Sequence, residues 1–463
     1  MKVSIVTLAV LVAQSFAEDD GSWANIVSIG QRPYYLVDEM KPSSVRDKLD
    51  ECAKTKTSYA RTDFSIGHRG ACMQFPEHTL ESYKAAALQG AGVIECDVTF
   101  TKDRELVCRH SQCDLHTTTD IVLHSDLNAN CTTPWSAGVE PMCCTSDFTL
   151  EQIKTLCGKM DSSGINATTP EEYVYGGTPD WRTDLYQYGC PTIVTHKESI
   201  ELIQSYGGKF TPELKGASVE MPYEGDFTQE AYAQKMIDEY VEMGIDPKDV
   251  WPQSFNSSDV FYWIQNTDFG DQAVMLDETE YDNETQFLEF FDLLVENGVK
   301  IIGPYLSQLV EQDDSTELGM KASAYSEAAV EHGFQMIAWS LERSGPGLEG
   351  WYWSSLENMT RTDGDQLALL YFLTQEIGNV IAVFSDWPAT TTFFGNCYEV
   401  GLRDSSSSST SSGGEDASEN DSSETTTTTD TTTTPSPSSP AGSRRHLQAA
   451  SQMINFALKL VGI

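Results

Sequence analysis

Short apolar runs alternate with amphipathic segments from Thr62 to about Tyr398. Helical spacing of apolar residues recurs between the runs, at 81–89, 229–243 and 325–332. Strands that alternate with helices predict a parallel sheet, and eight such units close into a TIM-type (β/α)8 barrel of about 250 residues. Nine runs compete for eight places, so one is a helix segment, an extra strand or a loop, and a doubly wound open sheet is the alternative. The nine runs are 64–67, 93–100, 106–110, 210–215, 250–256, 273–277, 300–304, 335–341 and 380–386.

Residues from about 114 to 192 break this alternation. They carry Cys, Gly, Thr and Pro with little periodicity. A loop of this length is uncommon unless it is functional or cross-linked. The segment is therefore predicted to be a cysteine-rich insertion that follows the third strand and is stapled by disulfides.

The cysteines indicate an oxidising compartment. Eleven are present, and ten of them lie between Cys52 and Cys190. Disulfides persist in secreted proteins, and an odd total leaves at least one thiol unpaired or bonded elsewhere. Cys108 and Cys113 are close enough to pair across a tight loop, which would rigidify the chain around His110, and the other pairings stay open. A zinc site is the weaker alternative, because no CxxC pair recurs with His at ligand spacing.

The first residues are typical of a secretory signal peptide, which we predict to cover residues 1–17. Met1-Lys2 precede a short apolar run, and Ser15-Phe16-Ala17 form the small-residue end. The run is too short to span a bilayer, so we expect a secreted, extracellular protein. Six glycosylation sequons fit this route; they begin at Asn130, Asn166, Asn256, Asn283, Asn358 and Asn420.

Composition divides the rest of the chain. An extension at 18–61 precedes the catalytic barrel at 62–400. Residues 403–445 are rich in Ser, Thr, Pro and acids, a composition that predicts a disordered, O-glycosylated stalk. The tail at 446–463 is apolar but interrupted by Lys459, and it faintly resembles a GPI-attachment signal. Cell-surface, cell-wall or membrane association is expected only if the tail anchors the protein.

The formal net charge of −41 limits the choice of partner. Few of the acids lie in the C-terminal tail, so the folded part is itself acidic. A nucleic-acid partner is disfavoured, because phosphate backbones require a basic surface. A small substrate that carries phosphate would have to be met by local cations or by a metal.

Carboxylates follow or end two of the predicted strands. Glu95 and Asp97 share one face of the second strand, because strand side chains alternate, and Glu213 shares a face with Lys215 in a later run. Two adjacent carboxylates favour a hard divalent cation, Ca²⁺ or Mg²⁺, because both ions take oxygen ligands. Two solvated acids on an edge strand are the alternative, which the apolar neighbours disfavour.

Two histidines and an arginine complete this set. His68 and Arg69 end the first run, and His110 ends the third. In a parallel barrel the carboxyl ends of the strands line the active site. Cations neutralise a phosphate there, and two imidazoles can take and give a proton near neutral pH. The pattern therefore predicts phosphoryl-transfer chemistry.

An ordered series of short motifs covers residues 62 to about 396. The most specific are His68-Arg69-Gly70-Ala71, Pro76-Glu77-His78-Thr79-Leu80, Glu95-x-Asp97-Val98 and Leu106-Val107-x-x-His110. Weaker ones are Glu213-Leu214-Lys215, Gln253-Ser254-Phe255, Ala338-Trp339-Ser340 and Ser385-Asp386-Trp387-Pro388. In order and spacing the series closely resembles the glycerophosphodiester phosphodiesterases, and the resemblance implies a TIM-type barrel.

The resemblance also implies a role for each matching side chain. His68 and His110 would be the general base and the general acid. Arg69 and Lys215 would bind the phosphate of a small glycerophosphodiester. The metal ligands would be Glu95, Asp97 and Glu213. The products would be glycerol 3-phosphate and an alcohol, formed through a cyclic phosphate that water opens.

Glu77 and Trp339 receive lesser roles. Glu77 follows Pro76 at a predicted helix start, where an acid favours the helix dipole. We therefore expect Glu77 to be structural or to support the ligands from behind. Trp339 would wall the substrate pocket, although a buried Trp is commonly part of a core.

The sequence departs from the family pattern near two of these positions. Ser111 stands where an Asp usually follows His110, and Asp114 is the candidate to replace that acid. Ser340-Leu341-Glu342 follow Trp339, where the family often has Thr or Ser and then Asn. The insertion is expected to overhang the pocket, which leaves the preferred alcohol open.

Two other readings remain. One is a lipid phosphodiesterase that resembles sphingomyelinase D or phospholipase C, and activity on soluble glycerophosphocholine but not on intact lipid would exclude it. The other is a non-catalytic surface or cell-wall protein that keeps the barrel. Retention of both histidines and of all three acids disfavours the second reading.

Overall fold

A closed barrel of eight parallel strands forms the centre of the computed structural model, which describes residues 25–344, 351–356 and 362–403. The barrel closes because β1 pairs with both β2 and β11, and its members are β1, β2, β4, β5, β6, β7, β10 and β11. The predicted TIM-type barrel is confirmed. The strands of the described residues are β1 (Thr62–Gly67), β2 (Ala91–Phe100), β3 (Leu106–Cys108), β4 (Lys209–Leu214), β5 (Gln253–Ser254), β6 (Val274–Asp277), β7 (Ile301–Pro304), β8 (Val310–Gln312), β9 (Met320–Ala322), β10 (Gln335–Ala338) and β11 (Val380–Ser385).

Helices connect the strands. The described α-helices are α1 (Arg32–Glu39), α2 (Ser44–Thr55), α3 (Leu80–Leu88), α4 (Leu115–Thr118), α5 (Ser125–Asn128), α6 (Leu150–Ile153), α7 (Pro170–Val174), α8 (His196–Ser205), α9 (Gln229–Glu242), α10 (Ser257–Asn266), α11 (Glu284–Glu296), α12 (Leu306–Leu309), α13 (Ala324–Glu331), α14 (Asp365–Tyr371) and α15 (Ala389–Tyr398). The helices predicted from apolar spacing are α3, α9 and α13. Each begins after a Thr or Ser whose side chain accepts a hydrogen bond from the first turn, and these caps are Thr79, Thr228 and Ser323.

Shorter helical segments complete the connections. They are Ile121–Leu123, Thr145–Asp147, Pro247–Asp249, Gly270–Gln272, Trp351–Leu356 and the wider turn Phe372–Ile377.

All nine apolar runs contain strand residues, and the surplus one is the third. β3 pairs antiparallel with β2, in the register Val98 with Cys108, and lies outside the barrel. β2 is ten residues long and buried throughout, so it extends beyond the end of β4. The chain then turns back, and β3 pairs with the last residues of β2. His110 therefore follows an antiparallel strand rather than a strand of the barrel.

The interior of the barrel is filled with side chains. Its small core includes Ile66, Val93, Leu276, Ile337 and Phe384. A larger core lies between the strands and the surrounding helices. Because the interior is packed, polar chemistry is confined to the mouth of the barrel, as expected for this architecture.

The described part of the N-terminal extension packs against the end of the barrel sequence. α1 contacts α14 and α15, and α2 contacts the same two helices. Gly364 permits a close approach to α1, since a Cβ atom there would lie 2.6 Å from the carbonyl oxygen of Leu36. A disulfide between Cys52 and Cys397 links α2 to α15.

The cysteine-rich insertion after the third strand is confirmed. It carries α4 to α7 and a core of its own, which includes Leu115, Ile121, Phe148 and Ile153. Three disulfides staple it: Cys113–Cys144, Cys131–Cys143 and Cys157–Cys190. Cys108 and Cys113, which are close enough in sequence to pair, do not bond to each other, because Cys108 faces β2 across the antiparallel pairing and bonds to Cys96. Cys72 is the cysteine that forms no disulfide.

Several predictions of the sequence concern segments outside the described residues. These are the signal peptide, nearly all of the stalk, the apolar tail, and the sequons at Asn358 and Asn420. The sequons at Asn130, Asn166, Asn256 and Asn283 are described, and all four asparagines are exposed. Within the described ranges, no helix combines the length and apolarity needed to cross a membrane.

Candidate active site

Three carboxylates meet at the mouth of the barrel. Glu95 and Asp97 come from β2, and Glu213 comes from β4, where it is the direct register partner of Asp97. All three are buried, and one ligand oxygen from each lies within 4.8 Å of the others. Alternation along the strand predicted that Glu95 and Asp97 share a face, and the family resemblance implied Glu213 as the third member of the group.

The electrostatics of the three acids are those of a cation site. Burial and the charge of Asp97 raise the pKa of Glu95 well above its usual range, and burial raises that of Glu213 to about 7. Although burial opposes ionisation, His78 and Lys215 hold the pKa of Asp97 well below its usual range. Asp97 Oδ1 is buried without a hydrogen-bond partner. An all-oxygen set with an unpartnered carboxylate oxygen fits a hard divalent cation.

Neighbouring side chains hold these carboxylates in place. His78 Nε2 lies 2.8 Å from Asp97 Oδ2, and its Nδ1 lies 2.8 Å from the hydroxyl of Tyr83. Gln253 donates a hydrogen bond of 3.0 Å to Glu95 Oε1. The sequence analysis named His78 and Gln253 only as members of motifs and predicted no role for either.

His68 is held in one orientation by an acid from the last barrel strand. Its Nδ1 lies 2.5 Å from Asp386 Oδ1 and 2.9 Å from Ser340 Oγ, while Nε2 lies 3.8 Å from Glu95 Oε2. Burial lowers the pKa of His68, which favours the neutral imidazole. With Nδ1–H donated to Asp386, Nε2 is the basic nitrogen and is directed towards the carboxylates.

Asp386 is a functional candidate that the sequence analysis did not select. It directly follows β11, so the rule that drew attention to His68 at the end of β1 applies to it equally. Glu342 supports it from behind, accepting hydrogen bonds of 2.9 Å from the backbone N–H of Asp386 and from Ser385 Oγ. Burial raises the pKa of Glu342 to about 7.

His110 reaches the site because β3 folds back over β2. The backbone N–H of Arg109 donates a 2.7 Å hydrogen bond to the carbonyl of Asp97, which fixes the chain beside the three carboxylates. The buried side chain of Arg109 donates to the carbonyls of Glu77 and His78, at 2.8 and 2.9 Å. Burial and the cations Arg69 and Lys215 lower the pKa of His110 well below its usual value.

Asp114 does not take over the role of the missing acid. Its carboxylate accepts hydrogen bonds from the backbone N–H of Ser111, at 2.9 Å, and from Thr118 Oγ1, at 3.3 Å. The hydrogen bonds of the described residues include none between Asp114 and the imidazole of His110. Asp114 therefore orders the loop that carries the histidine and does not orient the ring.

Arg69 and Lys215 face the cavity beside the acids. Arg69 donates a 3.0 Å hydrogen bond to Glu77 Oε2, and Lys215 donates one of 2.6 Å to Glu213. Gly70 is required after Arg69, because at φ +93° a Cβ atom would lie 2.3 Å from Ser82 Oγ. The predicted placement of Glu77, behind rather than among the ligands, agrees with this geometry.

Arg343 links the site to the insertion. It approaches Glu77 Oε2 at 3.1 Å and Asp386 Oδ2 at 3.5 Å. It also forms a short ion pair with Asp161 of the insertion, which is itself paired with Arg182. This connection was not predicted, since Arg343 belongs to none of the sequence motifs.

One cavity of about 310 Å³ collects these groups. Asp97 lies beneath it, and Glu77 lies behind Arg69. Its polar lining contains six of the predicted residues, which are His68, Arg69, Glu95, His110, Glu213 and Lys215, together with Gln253 and Glu278. Its apolar lining contains the predicted Trp339 together with Phe255, Leu276, Tyr352 and Phe384.

A (β/α)8 barrel with clustered carboxylates, two histidines and two cations at its carboxyl end belongs to the class of barrel hydrolases that cleave phosphoric diesters. The model of the Glycerophosphoryl diester phosphodiesterase family matches residues 68–312, which is more than half of the chain. The chain belongs to this family, as its motifs predicted, and is an enzyme of the glycerophosphodiester phosphodiesterase type.

The chain is also similar to individual proteins. An "Extracellular protein" of Arthroderma benhamiae is 38% identical over 249 residues, which cover 52% of this chain and 100% of that protein. A glycerophosphodiester phosphodiesterase of Arabidopsis thaliana is 30% identical over 135 residues, covering 29% of this chain and 34% of that protein.

A solved structure has the same architecture. It is the crystal structure of a protein from Silicibacter pomeroyi that was assigned to the glycerophosphoryl diester phosphodiesterases. The TM-score is 0.50 at 17% identity, and the match covers 75% of this chain and 96% of that one. At this identity the likeness shows the fold alone.

Proposed function

We propose that the protein is a secreted, metal-dependent enzyme that hydrolyses small glycerophosphodiesters to glycerol 3-phosphate and an alcohol. The observation that carries the proposal is the meeting of the carboxylate cluster with His68, His110 and two cations at one cavity. Each group needed to bind a phosphodiester and to move two protons lines this space or lies directly behind it.

Glu95, Asp97 and Glu213 would hold one divalent ion, Ca²⁺ or Mg²⁺. When bound, the ion supplies positive charge to the phosphate and stabilises charge that develops there. Arg69 and Lys215 would bind the remaining phosphate oxygens. Glu77 positions Arg69 through the hydrogen bond described above.

His68 acts as the general base of the first step. Asp386 fixes its tautomer, so the free Nε2 takes the proton of a glycerol hydroxyl as that hydroxyl attacks phosphorus. The bond from phosphorus to the leaving alcohol breaks, and a cyclic phosphate forms. Water then opens the ring, with the two histidines exchanging their roles.

His110 acts as the general acid that protonates the leaving oxygen. Without substrate, burial and the cations Arg69 and Lys215 disfavour its charged form. A phosphodiester bound between the same two cations brings negative charge next to the imidazole and raises its pKa. Protonation of His110 is thereby coupled to occupancy of the site.

Extracellular location is supported by five disulfides and by the extracellular relative. We propose the signal peptide at 1–17, the extension at 18–61, the barrel at 62–400, the stalk at 403–445 and the tail at 446–463 as the organisation of the chain. Attachment to a membrane or cell wall would depend on the tail, and a nucleic-acid partner is not part of the proposal.

The test is release of glycerol 3-phosphate by the purified, EDTA-stripped protein with Ca²⁺ or Mg²⁺ restored. We expect activity with at least one ion, and losses on the order of 10²-fold or more for His68→Ala and Glu95→Ala, since each removes a group that acts on the reacting atoms. His332→Ala and Glu289→Ala, on outer helices, are matched controls and should keep the wild-type rate. An inactive wild type with both ions, or full rates in His68→Ala and Glu95→Ala, contradicts the proposal.

A further inference from the structure

Arg343 lies where four segments of the chain meet. It belongs to the loop that follows β10, and its guanidinium contacts carboxylates from three other segments. Nη2 donates a 3.1 Å hydrogen bond to Glu77 Oε2, and Nη1 donates one of 3.5 Å to Asp386 Oδ2. Nη2 also pairs closely with Asp161 of the insertion. A guanidinium suits this position, because its planar fork of five N–H groups can meet several carboxylates at once.

The two acids of the barrel that Arg343 contacts are the ones that hold groups of the proposed mechanism. Asp386 turns its other oxygen, Oδ1, to His68 Nδ1. Glu77 receives Arg343 on Oε2, the same oxygen that Arg69 contacts. Both acids are only 1% exposed. One guanidinium therefore stands behind the proposed general base and behind a phosphate-binding arginine at the same time.

The charge of Arg343 favours the ionised form of both acids. Although burial opposes ionisation, Arg69 and Arg343 hold the pKa of Glu77 well below its usual range. Against the same burial, His68 and Arg343 hold the pKa of Asp386 below its usual value. An ionised carboxylate only accepts hydrogen bonds. Asp386 can therefore receive the Nδ1–H of His68, and Glu77 can receive an N–H of Arg69.

The insertion holds Arg343 in place. Asp161 pairs with Arg343 through Oδ2 and with Arg182 through Oδ1. Arg182 in turn donates a 2.6 Å hydrogen bond to the carbonyl of Cys72, in the loop that follows β1. Asp161 and Arg182 both lie within the loop that the third disulfide of the insertion closes. Removal of Asp161 would leave two largely buried arginines without a shared partner.

We propose that Arg343 is a positioning residue for the reaction and that the insertion, through Asp161, is a working part of the active site. Arg343 acts through Asp386 on the orientation of the proposed general base, and through Glu77 on the placement of Arg69. The inference rests on the proposed function and adds one residue and one segment to it. Neither Arg343 nor Asp161 is among the residues that line the cavity, so both act through other side chains.

Kinetics of single variants of the full-length, metal-loaded protein give the first test. Release of the alcohol is measured with the best substrate among glycerophosphocholine, glycerophosphoethanolamine and glycerophosphoglycerol, and phosphate binding is measured as the inhibition constant of added glycerol 3-phosphate. Arg343→Met and Asp161→Asn should each lower kcat by about 10–100-fold, as the loss of residues that support a site from behind typically does. Arg343→Met should also raise the inhibition constant severalfold, because Arg69 is less firmly held. Arg343→Lys, which keeps the charge but not the fork, should retain more activity than Arg343→Met.

Combined variants separate positioning from a general loosening of the fold. In Asp386→Asn protein, the addition of Arg343→Met should lower kcat little further but should still raise the inhibition constant. In Glu77→Gln protein, the same addition should leave the inhibition constant nearly unchanged but should still lower kcat. Residues that act through a shared contact give non-additive effects, whereas independent effects add. A merely structural role would change both constants in both backgrounds.

Arg104 offers a matched control, since it also pairs with two carboxylates, Glu224 and Asp226, but does so at the surface. Arg104→Met and Asp226→Asn should keep the wild-type kcat and inhibition constant. Circular dichroism during heating shows whether each variant is folded at the temperature of the assay. If Arg343→Met does not fold, Arg343→Lys takes its place in both combinations.

The outcomes distinguish the two proposals. A wild type that hydrolyses none of the three diesters contradicts the proposed function and, with it, this inference. With an active wild type, the role of Arg343 is overturned if the Arg343 variant keeps both wild-type constants. It is equally overturned if the variant changes them to the same extent in the Asp386→Asn and Glu77→Gln backgrounds as in the wild type. An unchanged kcat in Asp161→Asn overturns the role of the insertion.

Discussion

His68 and Asp386 form the most informative contact at the scale of single residues. The acid accepts from Nδ1 and leaves Nε2 as the basic nitrogen, so the tautomer of the ring is decided by its partner. Ser340, which follows Trp339 as a Ser often does in the family, adds a second polar contact to the same nitrogen. The imidazole is thus oriented before any substrate is present.

Replacement of Asp386 by Asn tests this orientation. The amide can donate as well as accept, so the ring can turn or adopt the other tautomer, and we expect kcat to fall on the order of 10²–10⁴-fold, as when the acid of a Ser-His-Asp triad is lost. Binding of substrate and metal should change much less, because Asp386 lies outside the lining of the cavity and outside the group of Glu95, Asp97 and Glu213. Steady-state kinetics, with a calorimetric metal titration as control, measure both quantities.

An unchanged kcat in Asp386→Asn would contradict a positioning role for this residue. Asp292→Asn is the matched control, since Asp292 lies on the exposed surface of α11.

One short motif supplies three separate contacts at this scale. In Pro76-Glu77-His78-Thr79, Glu77 holds Arg69 and His78 holds Asp97. Thr79 caps α3. The motif therefore supplies side chains that contact Arg69 and Asp97, and a supporting role for Glu77 stays a prediction.

β3 decides the geometry at the scale of elements. β3 pairs antiparallel with the end of β2, in the register Val98 with Cys108, so the chain returns along β2 and brings His110 beside its acids. The disulfide between Cys96 and Cys108 ties this return to β2. The position of the general acid thus depends on an element outside the barrel.

Removal of the disulfide between β2 and β3 should affect both stability and catalysis. The bond closes 12 residues, for which the chain-entropy model gives about 3 kcal/mol of stabilisation. In Cys96→Ser/Cys108→Ser we expect the free energy of unfolding to fall by about that amount, and kcat to fall severalfold because β3 and His110 are less firmly held. Denaturant titration and steady-state kinetics measure the two effects.

The insertion offers a control with the same loop length. Cys131–Cys143 also closes 12 residues, but it belongs to the core of the insertion. Cys131→Ser/Cys143→Ser should lose about the same free energy of unfolding and keep its kcat. Equal kcat values for the two double variants would show that β3 needs no covalent tie to position His110.

At the scale of the whole molecule, repulsion among the acids is opposed by contacts that hold the fold together. The chain carries a net charge of −41, and three of its acids are buried within 4.8 Å of one another. Arg343 and Asp161 link the barrel mouth to the insertion, and the disulfide Cys52–Cys397 links the N-terminal extension to α15. The fold holds the acids together at a cost that a bound cation would offset.

Metal should therefore stabilise the whole protein. An ion that binds the folded state alone adds RT ln(1 + [L]/Kd), about 2.7 kcal/mol at a concentration 100 times Kd. We expect the midpoint of thermal unfolding to rise by several degrees when Ca²⁺ or Mg²⁺ is added to EDTA-treated protein. Differential scanning calorimetry measures the shift without reference to activity.

Charge-neutral variants check the origin of this shift. Glu95→Gln should raise the stability of the metal-free protein and abolish most of the response to the ion, because it relieves repulsion and removes a charged ligand. Glu213→Gln should also abolish the response, but it should lower stability because it leaves the buried Lys215 without its partner. Glu289→Gln on α11 should respond as the wild type does. An identical midpoint with EDTA and with saturating ion would rule out a metal site of this kind.

The sequence by itself determined the features that depend on neighbouring residues. Alternating apolar runs and helical spacing predicted the alternating strands and helices of the barrel, because the periods of strands and helices appear among neighbouring residues. The pairing of Glu95 with Asp97 on one face follows from a period of two. The stapled insertion follows from composition, since cysteines in an irregular segment have few other uses in a secreted chain.

Only the tertiary structure decided what depends on distant residues. An apolar run does not reveal its direction, so the antiparallel course of β3 and the Cys96–Cys108 bond were not predictable. His68 and Asp386 are 318 positions apart, and they meet because β1 pairs with β11 when the barrel closes. Phe255 and Trp339 likewise follow different strands and line one cavity, so the shape of that cavity was decided by the closure of the barrel.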